Sequence, residues 1–530
     1  MSSPKSADNK SSKLLNGSAV DAAIRDSRSS TSTSDAQERK PELHLLSDGD
    51  GDGENTQLLP WSEPAWYAAL VSPYYTATHR ALRDHVRRYM DTHVLPHAAT
   101  WEAAGSCPLS ARRAWLATGL PLLDVPPAYR PQQQTAALAL TPNKTANDNN
   151  KDNKAAEVVL LPLDKLDAFH FLILNDECAR LPGGVASGLA GANVIGLPPV
   201  LHHGTTSQKR RWLPGLFTGA TNFCLGVTEP SGGSDVGGLR TTAVRSSAAE
   251  DGDGSPHYYV VTGTKKWITG APWATHMTTA VRTGGAGSGV GGISLLVIPL
   301  VEEEDGDTDI DTNPRERKRA KGITIEKIHN SGQNAGGASW VHLDHVRVLA
   351  ENLLGPENGG FKLLMSNFNK ERFVLAVSCN RQARTCLSTA LAYALERETF
   401  GQPLVHHQVI RHKLTTLARD VEAHWAWLEQ IAYHVDHCPD GKGWQSESIA
   451  GRIALAKVSG GRILELAARE AQQVMGGVAY QRDGPGGGGR VEQIARDLRM
   501  NVVGGGSEEI LNDLAFREEM KRARKLGAHL

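Results

Sequence analysis

The chain has 530 residues, with 57 Lys and Arg against 58 Asp and Glu, a formal net charge of -1 and 40% hydrophobic residues. That length is enough for several structural layers around a sizeable core, and the charge balance argues against nucleic-acid binding as the main activity. No run of about 18 apolar residues is present, which argues against a membrane-spanning helix.

Residues 1–60 contain no Phe, Trp or Tyr and are rich in Ser, Asp and Asn. They bury too little apolar area to offset ordering entropy and predict a disordered tail. Acidic residues are spread through it and it has no apolar core, so it is a poor secretory signal and a poor mitochondrial presequence. From Trp61 the spacing becomes helical. "HRALRDHVRRYMDTHVLPH" places Leu82, Val86, Tyr89 and Val94 on one face. Helical patterns recur in "ARRAWLATGL" and "LDAFHFLILNDECARL" and end near "GTTSQKRRWLPGLFTGA". Between them, the polar stretch 131–157 reads as a solvated insertion.

From about 221 the period changes to two. "FCLGVTE", "HYYVVTGTKKWITG", "HMTTAVRTG", "ISLLVIPL", "GITIEKI" and "SWVHLDHVRV" are short, rich in β-branched and aromatic residues, and separated by Gly or Asp clusters. Two inserts interrupt the pattern: the glycine-rich "GGAGSGVGG", and an acidic-then-basic run around 302–321 that reads as a charged loop. From Gly359 the helical period returns. "GFKLLMSNFNKERFVLAVSCNRQARTCLSTALAYALERETF" contains no proline and, unbroken, would span about 60 Å at 1.5 Å per residue. Three further helical stretches follow, the last being "SEEILNDLAFREEMKRARK". Helices, then strands, then helices fit neither a doubly wound sheet nor a sandwich.

The chemistry-bearing patterns are narrowed by exclusion. No GxGxxG follows a strand and opens a helix, no GxxxxGK[ST] is present, and no GxSxG elbow occurs. The six cysteines, Cys107, Cys178, Cys224, Cys379, Cys386 and Cys438, are scattered without a CxxC, as suits free thiols in a reducing compartment. "HVDHC" places His434, His437 and Cys438 together, but with no second ligand pair it reads as a polar helix end and no metal is expected.

Five segments remain: "GVTEPSGGSDVGGLRTTA", "GTKKWITGA", "ALERETFGQPLVHHQ", "QQVMGGVAYQRD" and "ARDLRMNVVGGGSEEI". In this order and at this spacing the chain resembles the acyl-CoA dehydrogenase superfamily. The resemblance implies an α+β fold: an N-terminal helical domain at 61–220 with the insertion at about 131–157, a middle β domain at 221–350 with insertions at about 283–292 and 302–321, and a C-terminal four-helix bundle at 356–528. It implies FAD lying between the β domain and the bundle.

The resemblance also implies residue roles. Main-chain groups of Leu225 and Val227 and the hydroxyl of Thr228 would bond the edge of the flavin ring. Ser234 would face the cofactor phosphate or the CoA arm, and Gly232 and Gly233 would let backbone approach without a Cβ in the way. Trp267 would cover the flavin face and Thr269 bond its edge. Arg397, Phe400 and Gln408, with Gln473 and Gly477, would contact the adenine and pyrophosphate of a neighbouring subunit's FAD, where a forked guanidinium suits a pyrophosphate. Ser507 and Glu509 belong to the same C-terminal signature on the cofactor side. That arrangement implies a homodimer or homotetramer.

The reaction implied needs a carboxylate to take the α-proton of an acyl-CoA thioester while hydride leaves the β-carbon. Many family members carry it just before a Gly-Thr pair near the C-terminus; here that position is Gly505. A long-chain and isovaleryl branch carries it on the long helix, before an arginine and apolar residues, and "NKERFVLAV" places Glu371 there. Burial beside an acyl chain would raise the pKa of Glu371, and the Gly505 N–H would serve the thioester carbonyl. Arg372 would contact CoA or the helix surface, and Phe368 the acyl pocket. Glu508 and Glu509 are the alternative carboxylates.

Electrons would pass to an electron-transfer flavoprotein or to oxygen. Two other readings stay open: an acyl-CoA oxidase-like enzyme, and a non-dehydrogenating flavoprotein of the alkylation-response type. The terminal Ala528-His529-Leu530 resembles a relaxed peroxisomal address; cytoplasm or mitochondrion are the alternatives.

Overall fold

The computed structural model describes residues 59–140, 158–190, 192–246, 257–302 and 317–527. The 1–58 part of the tail, most of the polar insertion, residues 303–316 and the terminal tripeptide lie outside the described residues.

The N-terminal helices are α1 (Ala65–Ala68), α2 (Ala77–His93), α3 (Ala98–Ala104), α4 (Leu109–Ala117), α5 (Ala168–Cys178), α6 (Val185–Ala190), α7 (Asn193–Gly196), α8 (Pro198–His203) and α9 (Thr206–Trp212). The stripe expected on α2 is the packed one: Leu82, Val86 and Val94 are buried and Tyr89 lies against their cluster. Capping boxes start α2 at Thr76 and α5 at Asp167, each with a histidine, His79 or His170, three residues on. The imidazoles of His79 and His170 also share one Asp167 oxygen, at 3.0 and 2.8 Å. This His-His-Asp group thereby closes two helix ends against each other.

The stretch 131–157 is not wholly a solvated insertion. Its "ALAL" forms β1 (Ala137–Leu140), antiparallel to β2 (Val159–Pro162). Leu138, Leu140 and Leu161 are buried against α2, because period-two alternation gives this hairpin one apolar face.

The middle region is an eight-stranded sheet built from β3 (Phe223–Gly226), β4 (Thr242–Arg245), β5 (Tyr258–Ile268), β6 (His276–Arg282), β7 (Ile293–Pro299), β8 (Ile323–Lys327), β9 (Ser339–Leu349) and β10 (Leu353–Leu354). The order is β10-β7-β6-β4-β5-β9-β8, with β3 added parallel to β6. The glycine-rich 283–292 stretch is an ordered connection from β6 to β7, where Arg282 bonds the Ser288 hydroxyl and the Gly289 carbonyl. Of the 302–321 stretch, the described end returns to the sheet through a bridge between Val301 and Arg319.

Helix α10 (Gly360–Glu396) runs 37 residues without a break. A short hairpin of β11 (Glu398–Thr399) and β12 (Gln402–Pro403) turns the chain into α11 (Gln408–His437), followed by α12 (Ala450–Met475), α13 (Gly488–Val503) and α14 (Glu508–Lys525). The C-terminal region therefore holds five helices rather than four. The extra one is α13, whose start is hidden in sequence by the glycine run before it. "HVDHC" is the polar end of α11: His434 bonds the Ser448 hydroxyl and the Cys438 sulfur accepts the Gly443 N–H. Buried ion pairs bind α10 to its neighbours: Arg381 engages Glu63, just before α1, and Asp176 of α5, while Arg384 engages Glu422 of α11. Such pairs fix register more than they add stability.

Candidate active site

Strand β3 pairs only with β6 among the described strands, then enters the loop Thr228-Glu229-Pro230. Glu229 organises this loop. Its N–H and C=O bond Gly232 across the turn, and its carboxylate accepts the N–H groups of Arg240 and Thr241 and the Thr241 hydroxyl. Lys265, fully buried on β5, donates to the Glu229 carboxylate at 2.7 Å and to the Val227 carbonyl at 3.2 Å. Burial pulls the ammonium of Lys265 down to about 8 against the pull of Glu229. Burial pushes the carboxyl of Glu229 up, but Lys265 and the hydrogen bonds outweigh that and hold it below its usual value. Of the Val227 main-chain groups expected to serve the flavin edge, the carbonyl thus already accepts one bond from Lys265, which leaves it one lone pair.

The same lysine strand carries Trp267. The Lys266 N–H donates to the Thr228 carbonyl at 2.9 Å, which brings the two motifs side by side. The β5–β9 register shifts between Lys265 and Ile268, and Trp267 sits in the bulge at φ 64 with half its surface exposed. A left-handed, exposed tryptophan is strained and poorly covered by its own chain. Thr269, half-buried, follows, with the Gly270 N–H on the Gly336 carbonyl.

The other wall is α10. Phe368 packs on the cluster that contains Leu225, Val227 and Leu364, so the β3 end and this part of α10 meet. The Arg372 guanidinium lies 5.3 Å from the Phe368 ring, and its Nε donates to the Gly505 carbonyl at 2.9 Å. Arg372 therefore binds the C-terminal glycine turn, which its sequence position alone left open. Glu371 stands beside it. Its Oε2 is closed off from solvent with no hydrogen-bond partner, and burial raises its carboxyl from 4.5 to about 7 although Arg372 and Lys457 oppose the shift.

Gly505 has φ +67, and a Cβ there would lie 2.9 Å from Leu375 Cδ1 and 3.5 Å from Arg372 Cγ. The long helix occupies the space a C-terminal side chain would use. Of the alternative carboxylates, Glu508 pairs with Arg462 and Glu509 is exposed at the start of α14, where Ser507 is the N-cap.

The remaining cofactor candidates gather at the opposite end of the bundle. Arg397, Phe400, Gln408, Gln473 and Gly477 are all exposed, and Phe400 stands 97% exposed at φ 52. Arg397 makes no ion pair with a described residue. Along α10 it lies about 39 Å from Glu371 at 1.5 Å per residue.

The residues present fit a flavin dinucleotide. Gly233 has only Thr228 Cγ2, at 3.7 Å, near a would-be Cβ, and Gly477 has nothing within 4 Å. Neither needs positive φ, so the protein's own packing does not require either glycine, whereas a bound group lying on the backbone would. Sequence reading missed Glu229, Lys265 and Lys457. The first two stand inside quoted motifs, while Lys457 sits in a featureless helix.

Three domain models of one family match in this order: "Acyl-CoA dehydrogenase, N-terminal domain" at residues 76–140 and 164–220, "middle domain" at 224–346 and "C-terminal domain" at 358–519. The chain is 38% identical over 464 residues to "Acyl-CoA dehydrogenase AFT10-1" of Alternaria alternata, covering 87% of this chain and 96% of that protein. It is 35% identical over 474 residues to "Acyl-CoA dehydrogenase apdG" of Emericella nidulans, covering 88% and 98%. The crystal structure of a probable acyl CoA dehydrogenase from Mycobacterium abscessus superposes with TM-score 0.65 at 28% identity, over 84% of this chain and 99% of that one. Segments, site geometry and relatives agree, and the chain belongs to the acyl-CoA dehydrogenase family, whose members are oxidoreductases and whose cofactor is implied to be FAD.

Proposed function

We propose that the protein introduces a double bond between the α- and β-carbons of an acyl-CoA thioester, with Glu371 as the base, in the manner of the branch that carries its carboxylate on the long helix. The observation that carries this reading is the Glu371 carboxylate: its Oε2 is closed off from solvent and unpaired, and burial raises it to about 7 beside the turn where Gly505 stands. A base poised near working pH combines an adequate ionised fraction with enough basicity to take a weakly acidic proton.

The α-proton passes to Glu371, the β-hydrogen departs with its electron pair, and the two carbons are left doubly bonded. FAD, when bound, supplies the hydride acceptor. Leu225, Val227 and Thr228 with Trp267 and Thr269 would hold its ring, and Ser234 would serve the phosphate or the CoA arm. The Gly505 N–H donates to the thioester carbonyl as negative charge develops there. Phe368 and Leu375 give the acyl chain an apolar wall.

Arg397, Phe400, Gln408, Gln473 and Gly477 would complete the adenosine end of a neighbouring copy's dinucleotide. One flavin dinucleotide is too short to reach both them and Glu371, which supports a homodimer or homotetramer. The electron acceptor we propose is an electron-transfer flavoprotein.

The test is anaerobic addition of a panel of acyl-CoAs to the purified protein, followed by admission of air. Bleaching of the flavin by at least one thioester, with slow recovery in air and fast recovery with an electron-transfer flavoprotein, is expected. No bleaching by any thioester would refute dehydrogenation, and rapid recovery in air would replace the acceptor with oxygen.

A further inference from the structure

Lys457 lies in the middle of α12 and is 1% exposed. Lysine is almost never buried unless its charge is met. No described carboxylate lies within ion-pair distance of it. Its partners are instead main-chain carbonyls: that of Val502, and that of Gly506 at 3.0 Å. Val502 is in the last turn of α13, where carbonyls lack helical partners and carry the negative end of the dipole. Gly506 closes the turn Gly504–Gly506, where Gly505 has φ +67 and Gly506 φ +116. Arg372 donates to the carbonyl between these two, that of Gly505. Two cations from two different helices thus grip three carbonyls of five consecutive residues, and both act on the Glu371 carboxyl in the same sense, against the effect of its burial.

A lysine that only capped α13 would do so as well from the surface, with its ammonium in water. Here it is carried into the bundle to the one turn that the reaction uses. We infer that Lys457 is a positioning residue for the dehydrogenation: it locks the Gly504–Gly506 turn against the long helix and keeps a positive charge behind the Glu371 carboxylate. The inference rests on the reading of Glu371 as base. The charge favours the carboxylate form and so limits how far burial raises it.

The other titratable groups facing this pair do not substitute for Lys457. Arg372 opposes the rise of the Glu371 carboxyl in the same sense and with the larger effect, so Lys457 adds to it; Arg372 reaches the carbonyl of Gly505, not those of Val502 and Gly506 that Lys457 holds. Cys379 of α10 is pushed up to about 12 by burial and stays a neutral thiol. Glu508 of α14 is held below its usual value by Arg462 and stays ionised across the working range.

The experiment compares Lys457→Met, which removes donor and charge, Lys457→Gln, which keeps donors without charge, and Lys457→Arg, which keeps both. Each is measured as FAD-loaded protein by the pH dependence of anaerobic flavin reduction, together with kcat and KM. Loss of the charge should move the acidic limb up by about one pH unit and cut the reduction rate near neutrality about tenfold, with KM little changed. Lys457→Arg should restore the limb. Should Lys457→Met not fold, Lys457→Gln carries the same readout. A limb that stays at its wild-type position in the charge-free variant that folds overturns the inference. Glu371→Gln is run alongside. If it still reduces flavin at the wild-type rate, the reading of Glu371 as base has failed; if it does not and the limb is unmoved in the Lys457 variants, only the inference about Lys457 has.

Discussion

Arg372 and Gly505 are joined by a hydrogen bond of 2.9 Å from the guanidinium Nε to the main-chain carbonyl. The residue that follows the proposed base thereby holds the C-terminal glycine turn. The two features are one arrangement: the Glu371 carboxylate stands on the helix, and the turn, which has no side chain at Gly505, packs against that helix.

Gly505→Ala tests the arrangement directly. The added Cβ would sit 2.9 Å from Leu375 Cδ1 at a residue with φ +67. The left-handed backbone alone costs about 1–2 kcal/mol for a non-glycine residue. The expected outcome is a lower Tm and slower flavin reduction. Leu375→Ala in the same chain should recover part of the loss, because it removes the steric clash but not the backbone strain.

The carboxyl of Glu371 is raised from 4.5 to about 7, so the folded state holds a proton that the unfolded chain has already lost. Between these values the folded state binds more protons, and stability falls as pH rises. Glu371→Gln removes that dependence. The Tm of this variant should pull ahead of wild type progressively from pH 4.5 to about 7 and keep a constant lead above. A Tm difference that does not change with pH in this window would contradict the shifted carboxyl.

Lys265→Met leaves the Glu229 carboxylate buried without its cation. Breaking a buried pair on one side costs roughly 3–5 kcal/mol. Glu229 ties the loop to Arg240 and Thr241, and Lys265 ties it to Val227, so the loop should loosen as well. The expected result is a purified protein with a lower Tm and a smaller bound-flavin fraction. Retention of a full complement of flavin at wild-type Tm would show that the loop does not depend on this pair.

Arg397 is exposed and pairs with no described residue of its own chain, so its removal should not disturb the fold. Arg397→Ala is expected to leave the Tm of the flavin-free protein unchanged and to weaken FAD retention on dilution, with most of the loss restored by excess FAD. Unaltered retention would remove Arg397 from the cofactor's surroundings.

Much of this was legible in sequence, for a physical reason. The α2 stripe, the long α10 and the β strands follow from periodicity, since each buries one face. The segments that carry the family resemblance are contiguous words, which is why they read directly from the sequence. What escaped depends on distant partners. Lys265 reads as one cation in "TKKW" until its 2.7 Å contact to Glu229 is seen. Lys457 becomes notable only when Val502 and Gly506 are found facing it. β1 was masked by its polar flanks, and α13 by the glycines that precede it, which leave no ordinary helix-start signal.

The most direct measurement is the rate of anaerobic flavin reduction by a thioester that bleaches the wild-type protein, compared in FAD-loaded wild type and Glu371→Gln. General-base catalysis contributes about 10²–10⁴-fold. The account predicts a fall of that size, with the variant still folded and still yellow. Reduction of Glu371→Gln at the wild-type rate would contradict it.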